Sequence, residues 1–253
     1  MNGVVESIFR HPVKGLTPES MQQVQLSAGA YFPGDRNYAI EVGPSGFDAA
    51  APKHISKQKF TVLARFPSLA RVKTRLDDPT GRFHVGDASG FGVETELATA
   101  EGRAVLARFL QAFLGEEATG TLRVLESPPG YRFMDHPLGY ISVMNLASVR
   151  AVEQALGVAV DPLRFRANVY VDGLKPWAED EWVAGARVGL GEAQLSVFKP
   201  IVRCVATDVN LETGERDIEM VAQLRAHFGR DTLGTYFSIA EGGVMKVGDA
   251  LTC

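Results

Sequence analysis

The sequence predicts an α+β protein, mainly β, with a barrel-like architecture and only a few helices. Three observations carry this. Short strand-like segments are punctuated by Gly, Pro, Asn and Asp. Helical periodicity is confined to three stretches. Regular β–α alternation is absent, which excludes a doubly wound sheet. The 253 residues suffice for one large domain or two modest ones, with a core that needs no disulfide or metal staple.

In chain order, Val4–Phe9 and Met21–Leu26 read as strands, and Asn37–Val42 alternates apolar and polar positions before the turn Gly43-Pro44-Ser45-Gly46. Ser68–Leu76 and Arg82–Val85 follow, split by Asp77-Asp78-Pro79-Thr80-Gly81. Glu101–Leu114 is the first helix, because Val105, Leu106, Phe109, Leu110 and Phe113 fall on one face before Gly115. Glu126–Gly139, rich in Pro, Gly and Asp, reads as a loop or linker, so the expected units are 1–125 and 126–253. Asn145–Leu156 is the second helix, with Asn145 as N-cap and Gly157 as stop. Asn168–Val171, Arg187–Leu190, Gln194–Phe198 and Val202–Val209 read as strands. Ile218–His227 is the third helix, and Tyr236–Ala240 with Val244–Val247 reads as a final hairpin around Glu241-Gly242-Gly243.

Composition narrows the function classes. A net charge of −4 argues against a general nucleic-acid binder, although it leaves room for a local basic pocket. Two cysteines, Cys204 and Cys253, are too few for a disulfide framework or a four-thiolate iron–sulfur cluster. The N-terminus lacks a signal-peptide apolar run, and no stretch approaches the ~20 apolar residues that span a bilayer, so the expectation is a cytoplasmic protein without a membrane partner. Phosphate-loop, dinucleotide-fold, zinc-protease and nucleophile-elbow motifs are missing, and the five histidines have no ligand spacing.

Four motifs carry chemistry. Cys204 follows Arg203, and a cationic neighbour favours the thiolate that binds metals or attacks electrophiles. The plain alternative is a buried strand cysteine. Arg164-Phe165-Arg166-Ala167-Asn168 places two guanidinium forks and an amide at a strand start. That arrangement suits phosphate, with a solvated edge of surface ion pairs as its alternative. His11-Pro12-Val13-Lys14-Gly15 and Gly34-Asp35-Arg36 each set a cation in a turn, where Gly15 allows close backbone approach and Asp35 orients Arg36.

In this order, these pieces resemble the MOSC family, the C-terminal domain type of molybdenum cofactor sulfurases, with its N-terminal β-barrel unit and its amidoxime-reducing members. The resemblance also rests on Ile141-Ser142, Ala178-Glu179-Asp180-Glu181-Trp182, Thr213-Gly214-Glu215 and the closing Gly243-Val244-Met245-Lys246-Val247-Gly248-Asp249. It implies molybdenum ligation by Cys204, which is also the expected catalytic residue. Binding of a molybdopterin cofactor is expected through Lys14, Gly15, Arg36, Ser142, Arg164, Arg166, Asn168 and Arg203. The implied activity is reduction of a small N-hydroxylated or N-oxide substrate, with electrons from a separate ferredoxin- or flavin-type protein. The alternative is a sulfur-transfer or cofactor-carrier module, with a sulfur donor as partner and Cys204 as persulfide acceptor. The pyridoxal phosphate of the sulfurases belongs to a desulfurase half for which this chain is too short. Gly15 for serine, Ala167 for proline, Ile201 for cysteine and Asn210-Leu211 for Asp-Pro depart from the family pattern.

Overall fold

The computed structural model describes residues 3–77 and 80–252; Cys253 and the Asp78-Pro79 part of the expected turn lie outside them. The strands are β1 (Gly3–Arg10), β2 (Glu19–Met21), β3 (Gln23–Leu26), β4 (Tyr38–Val42), β5 (Lys73–Asp77), β6 (Arg82–Gly86), β7 (Gly92–Glu96), β8 (Leu122–Glu126), β9 (Ile141–Asn145), β10 (Val169–Asp172), β11 (Arg187–Leu190), β12 (Ala193–Val202), β13 (Thr232–Glu241), β14 (Gly243–Lys246) and β15 (Ala250–Thr252). The α-helices are α1 (Ala100–Leu114), α2 (Leu146–Leu156) and α3 (Met220–Phe228).

Seven strands close a barrel in the order β1-β10-β9-β13-β12-β11-β15, with β15 returning to β1 and β2 appended outside β1. Closure removes the exposed edges that an open sheet would leave. The barrel interior is apolar: Val5, Ile8, Val143, Val171, Leu195 and Phe237 are buried together. One wall, β1, comes from the start of the chain, and six come from after residue 140. The remaining N-terminal elements form a second core, in which Leu106, Phe109 and Leu110 of α1 pack against Phe83 and Val85 of β6 and Ile40 of β4. Among the described residues, no helix is long and apolar enough to cross a membrane.

The capping chemistry works as the sequence implies. Asn145 Oδ1 accepts from Ala147 N at 3.0 Å, which satisfies an orphan donor of α2, and Gly157 closes that helix in the left-handed region.

Several expected boundaries move. Met21–Leu26 is two strands, because β2 joins β1 while β3 pairs with β14. Pro67 opens a 3₁₀ turn, so the strand expected from Ser68 starts at Lys73. The expected 236–247 hairpin does not form: both edges of β13 are taken by β9 and β12, and β14 finds the free edge of β3. The expected strand Val202–Val209 ends at Val202. Cys204 then caps a 3₁₀ turn, and its carbonyl accepts from Thr207 N and Oγ1 at 3.0 and 2.8 Å. Arg164 and Arg166 do not share a strand face. Asp161 and Pro162 start a 3₁₀ turn through Phe165, and Arg166 turns left-handed at φ 53° before β10 begins.

Candidate functional site

The turns that replace those two expected strands lie at one end of the barrel, where they face a loop from each half of the chain. Together they line a cleft of about 210 Å³. Six cationic side chains line it, namely Arg36, Lys57, Arg164, Arg166, Lys199 and Arg203, against one carboxylate, Asp135. That imbalance stands inside a protein of net charge −4, so the positive charge is concentrated rather than general.

The cations differ in what already holds them. Arg164 is buried and tied to Asp217 at 2.7 Å and to the Asp208 carbonyl at 3.1 Å, so its charge is neutralised within the fold. Arg36 sits at φ 47° and donates from Nη1 to Asp35 and from Nη2 to the Arg166 carbonyl at 3.2 Å. Asp35 also accepts from the His11 backbone amide at 2.7 Å. Burial raises the Asp35 carboxyl, but Arg36 and His11 outweigh it and hold the group well below the usual carboxylate range.

Arg166 and Arg203 have no carboxylate at ion-pair distance among the described residues. Arg166 donates from Nη2 to the Leu16 carbonyl at 2.8 Å. Arg203 donates from Nε to Leu233 O at 2.7 Å and from Nη1 to Phe165 O at 3.0 Å, with its guanidinium over the Phe165 ring. Burial lowers both guanidinium groups to about 10. Removing a charge from water without a counter-ion is costly, so this end of the barrel is preformed for an anion.

Cys204 is half-buried on the cleft wall, and Lys57 Nζ donates to its Sγ at 3.1 Å. The expected partner, Arg203, is adjacent in sequence but commits its guanidinium to backbone carbonyls; the cation on the sulfur comes from a loop 147 residues earlier. Burial disfavours the charged Lys57, but the Asp135 carboxylate and then the Cys204 sulfur outweigh it and raise the ammonium above its ordinary value.

Lys14 and Gly15 line a small cavity of about 40 Å³ that shares Arg36, Lys57, Arg166 and Cys204 with the cleft. Lys14 Nζ donates to the Phe133 carbonyl at 2.8 Å and to Asp135. Burial dominates its environment and lowers the ammonium below its ordinary value. Gly15 has φ 88°, and a Cβ there would lie 2.1 Å from Thr61 O; this is the local reason that no serine stands at the position. Ser142 lines the cleft, whereas Asn168 is fully buried behind it. Asn168 Oδ1 accepts from Ser142 N at 3.1 Å and from Ser142 Oγ at 2.9 Å, and Nδ2 donates to Phe9 O at 3.3 Å. Asn168 therefore acts on the cleft through Ser142.

Sequence reasoning did not single out Lys57, Asp135, His136 or Tyr236 as site residues. Asp135 and His136 fall in the stretch read as a linker, and Lys57 stands in the basic run Lys53–Lys59, which was a usable signal. Leu138 N donates to His136 Nδ1 at 3.1 Å, which places the neutral ring's proton on Nε2. Among the described residues no three His, Cys, Asp or Glu side chains cluster as metal ligands, and Cys204 is the thiol that lines this cleft.

Residues 130–252 match the family model of the MOSC domain, and residues 2–119 match that of the MOSC N-terminal β-barrel domain. The mitochondrial amidoxime-reducing component 1 of Mus musculus is 29% identical over 119 residues, which are 42% of this chain and 34% of that protein. The molybdenum cofactor sulfurase of Drosophila mojavensis is 31% identical over 141 residues, 53% of this chain and 18% of that protein. That of Caenorhabditis elegans is 22% identical over 92% of this chain and 33% of its own length. The matched segments thus span about a third or less of these curated relatives. The YUAD protein from Bacillus subtilis shares the fold, with a TM-score of 0.50 and 14% identity over 99% of this chain and 94% of that one. The two family models account for nearly the whole chain, which belongs to the MOSC family.

Proposed function

We propose that this protein binds a molybdenum cofactor in the cleft, with Cys204 as the metal's protein ligand, and reduces small N-hydroxylated or N-oxide compounds. The observation that carries the reading is a partly exposed thiol in one cleft with two guanidinium groups, Arg166 and Arg203, that have no carboxylate at ion-pair distance among the described residues. The residues fit the group chemically. A phosphate-bearing ligand supplies the missing counter-charge, and a soft sulfur suits molybdenum better than a carboxylate does.

When bound, the cofactor supplies two-electron redox chemistry and an open position for the substrate oxygen. The chain's own residues do the rest. Arg36, Arg166 and Arg203 bind the anionic portion, with Asp35 holding Arg36 in place. Ser142, pinned by Asn168, presents its edge of β9 to the cleft. His136 presents an Nε2–H in the same cleft, where it can donate a hydrogen bond to an oxygen of the bound substrate. Electrons come from a separate ferredoxin- or flavin-type protein, since two cysteines provide no cluster of the chain's own.

The test is elemental analysis of protein made in a host that synthesises the cofactor, alongside Cys204→Ala. Molybdenum near one per chain in the wild type and its loss from the variant are expected. Equal metal content in the two rules out the ligand role. A sulfur adduct on Cys204 in metal-free protein, with no reductase turnover under a chemical electron donor, assigns the chain to sulfur transfer instead.

A further inference from the structure

The Lys57–Cys204 contact has a consequence for any metal the sulfur ligates. The ammonium reaches Sγ at 3.1 Å from the opposite half of the chain. It has no carboxylate at ion-pair distance among the described residues, so the sulfur is its partner. Lys57 is half-buried on the cleft wall, where water screens its charge less than at the open surface. Arg203 does not duplicate it, because its three guanidinium nitrogens face the carbonyls of Leu233 and Phe165. Among the described residues Asp135 is the one carboxylate on the cleft wall; its negative charge raises the Lys57 ammonium, as the sulfur does, and partly offsets that ammonium's positive charge in the cleft.

Hydrogen bonds and charges around a ligating sulfur are among the levers by which a protein sets a metal's potential. A cation donating to the sulfur draws electron density out of the metal–sulfur bond and favours the more electron-rich, reduced state. We propose that Lys57 is a positioning residue whose charge, delivered to the Cys204 sulfur, raises the reduction potential of the metal held there, with Asp135 moderating the effect. The N-terminal half thereby tunes a centre whose ligand belongs to the C-terminal half. This rests on Cys204 being the metal ligand.

The experiment is a redox titration of molybdenum-loaded protein followed by electron paramagnetic resonance, on wild type, Lys57→Gln, Lys57→Arg and Asp135→Asn. Glutamine keeps a donor and removes the charge. The expected result for Lys57→Gln is unchanged molybdenum content with the reduced form disfavoured about tenfold, ~59 mV lower for a one-electron step. Lys57→Arg returns the potential toward wild type, and Asp135→Asn shifts it upward. An unshifted potential in Lys57→Gln overturns the proposal. Loss of metal from Lys57→Gln overturns it too, since the residue then holds the group rather than tunes it. Wild type without molybdenum, or Cys204→Ala that retains it, removes the ligand reading itself, and those two proteins tell the failures apart.

Discussion

Asn168 provides a quantitative test of how the cleft is built. Replacing it with alanine removes the acceptor for Ser142 N and Ser142 Oγ and the donor to Phe9 O, at a position with 0% exposure. A buried donor stripped of its partner costs about 1–3 kcal/mol, and the space vacated by the amide adds a packing loss. The expected destabilisation is therefore about 2–4 kcal/mol. Urea unfolding followed by the fluorescence of Trp177 and Trp182 measures it, with the slope unchanged if the variant unfolds in one step. Ser142→Ala closes a double-mutant cycle. Its hydroxyl donates to Asn168 Oδ1 at 2.9 Å, a side-chain bond that each single variant removes, so the coupling between the two positions is expected to exceed about 0.5 kcal/mol. A loss below about 0.5 kcal/mol in Asn168→Ala, or strict additivity in the cycle, refutes the claim that Asn168 serves the cleft by fixing Ser142.

Two more outcomes follow from buried groups. His11 is fully buried, and burial followed by the charges of Arg36 and Arg166 pushes its ring from 6.5 down to about 3. Between those values the unfolded chain binds a proton that the folded one does not, so stability is present above pH 6.5 and is lost as pH falls toward 3. Asp35, held below the usual range, adds a loss of the same sign beneath about pH 4, where the unfolded carboxyl protonates. His11→Leu is expected to flatten the pH dependence of the urea midpoint between pH 6.5 and 4; an unchanged slope there contradicts the assignment. Gly15→Ser restores the residue of the family pattern at φ 88° against Thr61 O. It is expected to cost about 1–3 kcal/mol in backbone strain before the clash is counted, lowering Tm by at least about 2 °C. A serine variant as stable as wild type shows that the Thr61 segment gives way freely.

The helices were readable in advance, because each obeys a local rule. Val105, Leu106, Phe109 and Leu110 recur at helical spacing, and Asn145 and Gly157 bracket α2 as cap and stop. The barrel class was readable for the same reason, from alternation and turn residues within short windows. One misread segment marks a place where a distant partner decides, and another where a local side-chain bond breaks a strand pattern. β14 leaves β13 for β3 because both edges of β13 are occupied, and the expected strand around Cys204 becomes a turn once Thr207 bonds back to its carbonyl.

The identities of the site's chemical groups, one sulfur and an ordered set of cations, were written in the chain, since residue type and spacing need no partner to be seen. Which of those cations remains available was decided only by folding. Arg164 meets Asp217, Arg36 meets Asp35, Arg203 bends to the backbone, and Lys57 arrives on the sulfur from 147 residues away. Charge is a property of a residue, whereas its neutralisation is a property of distance, and distances between far-apart residues are set by barrel closure and strand register.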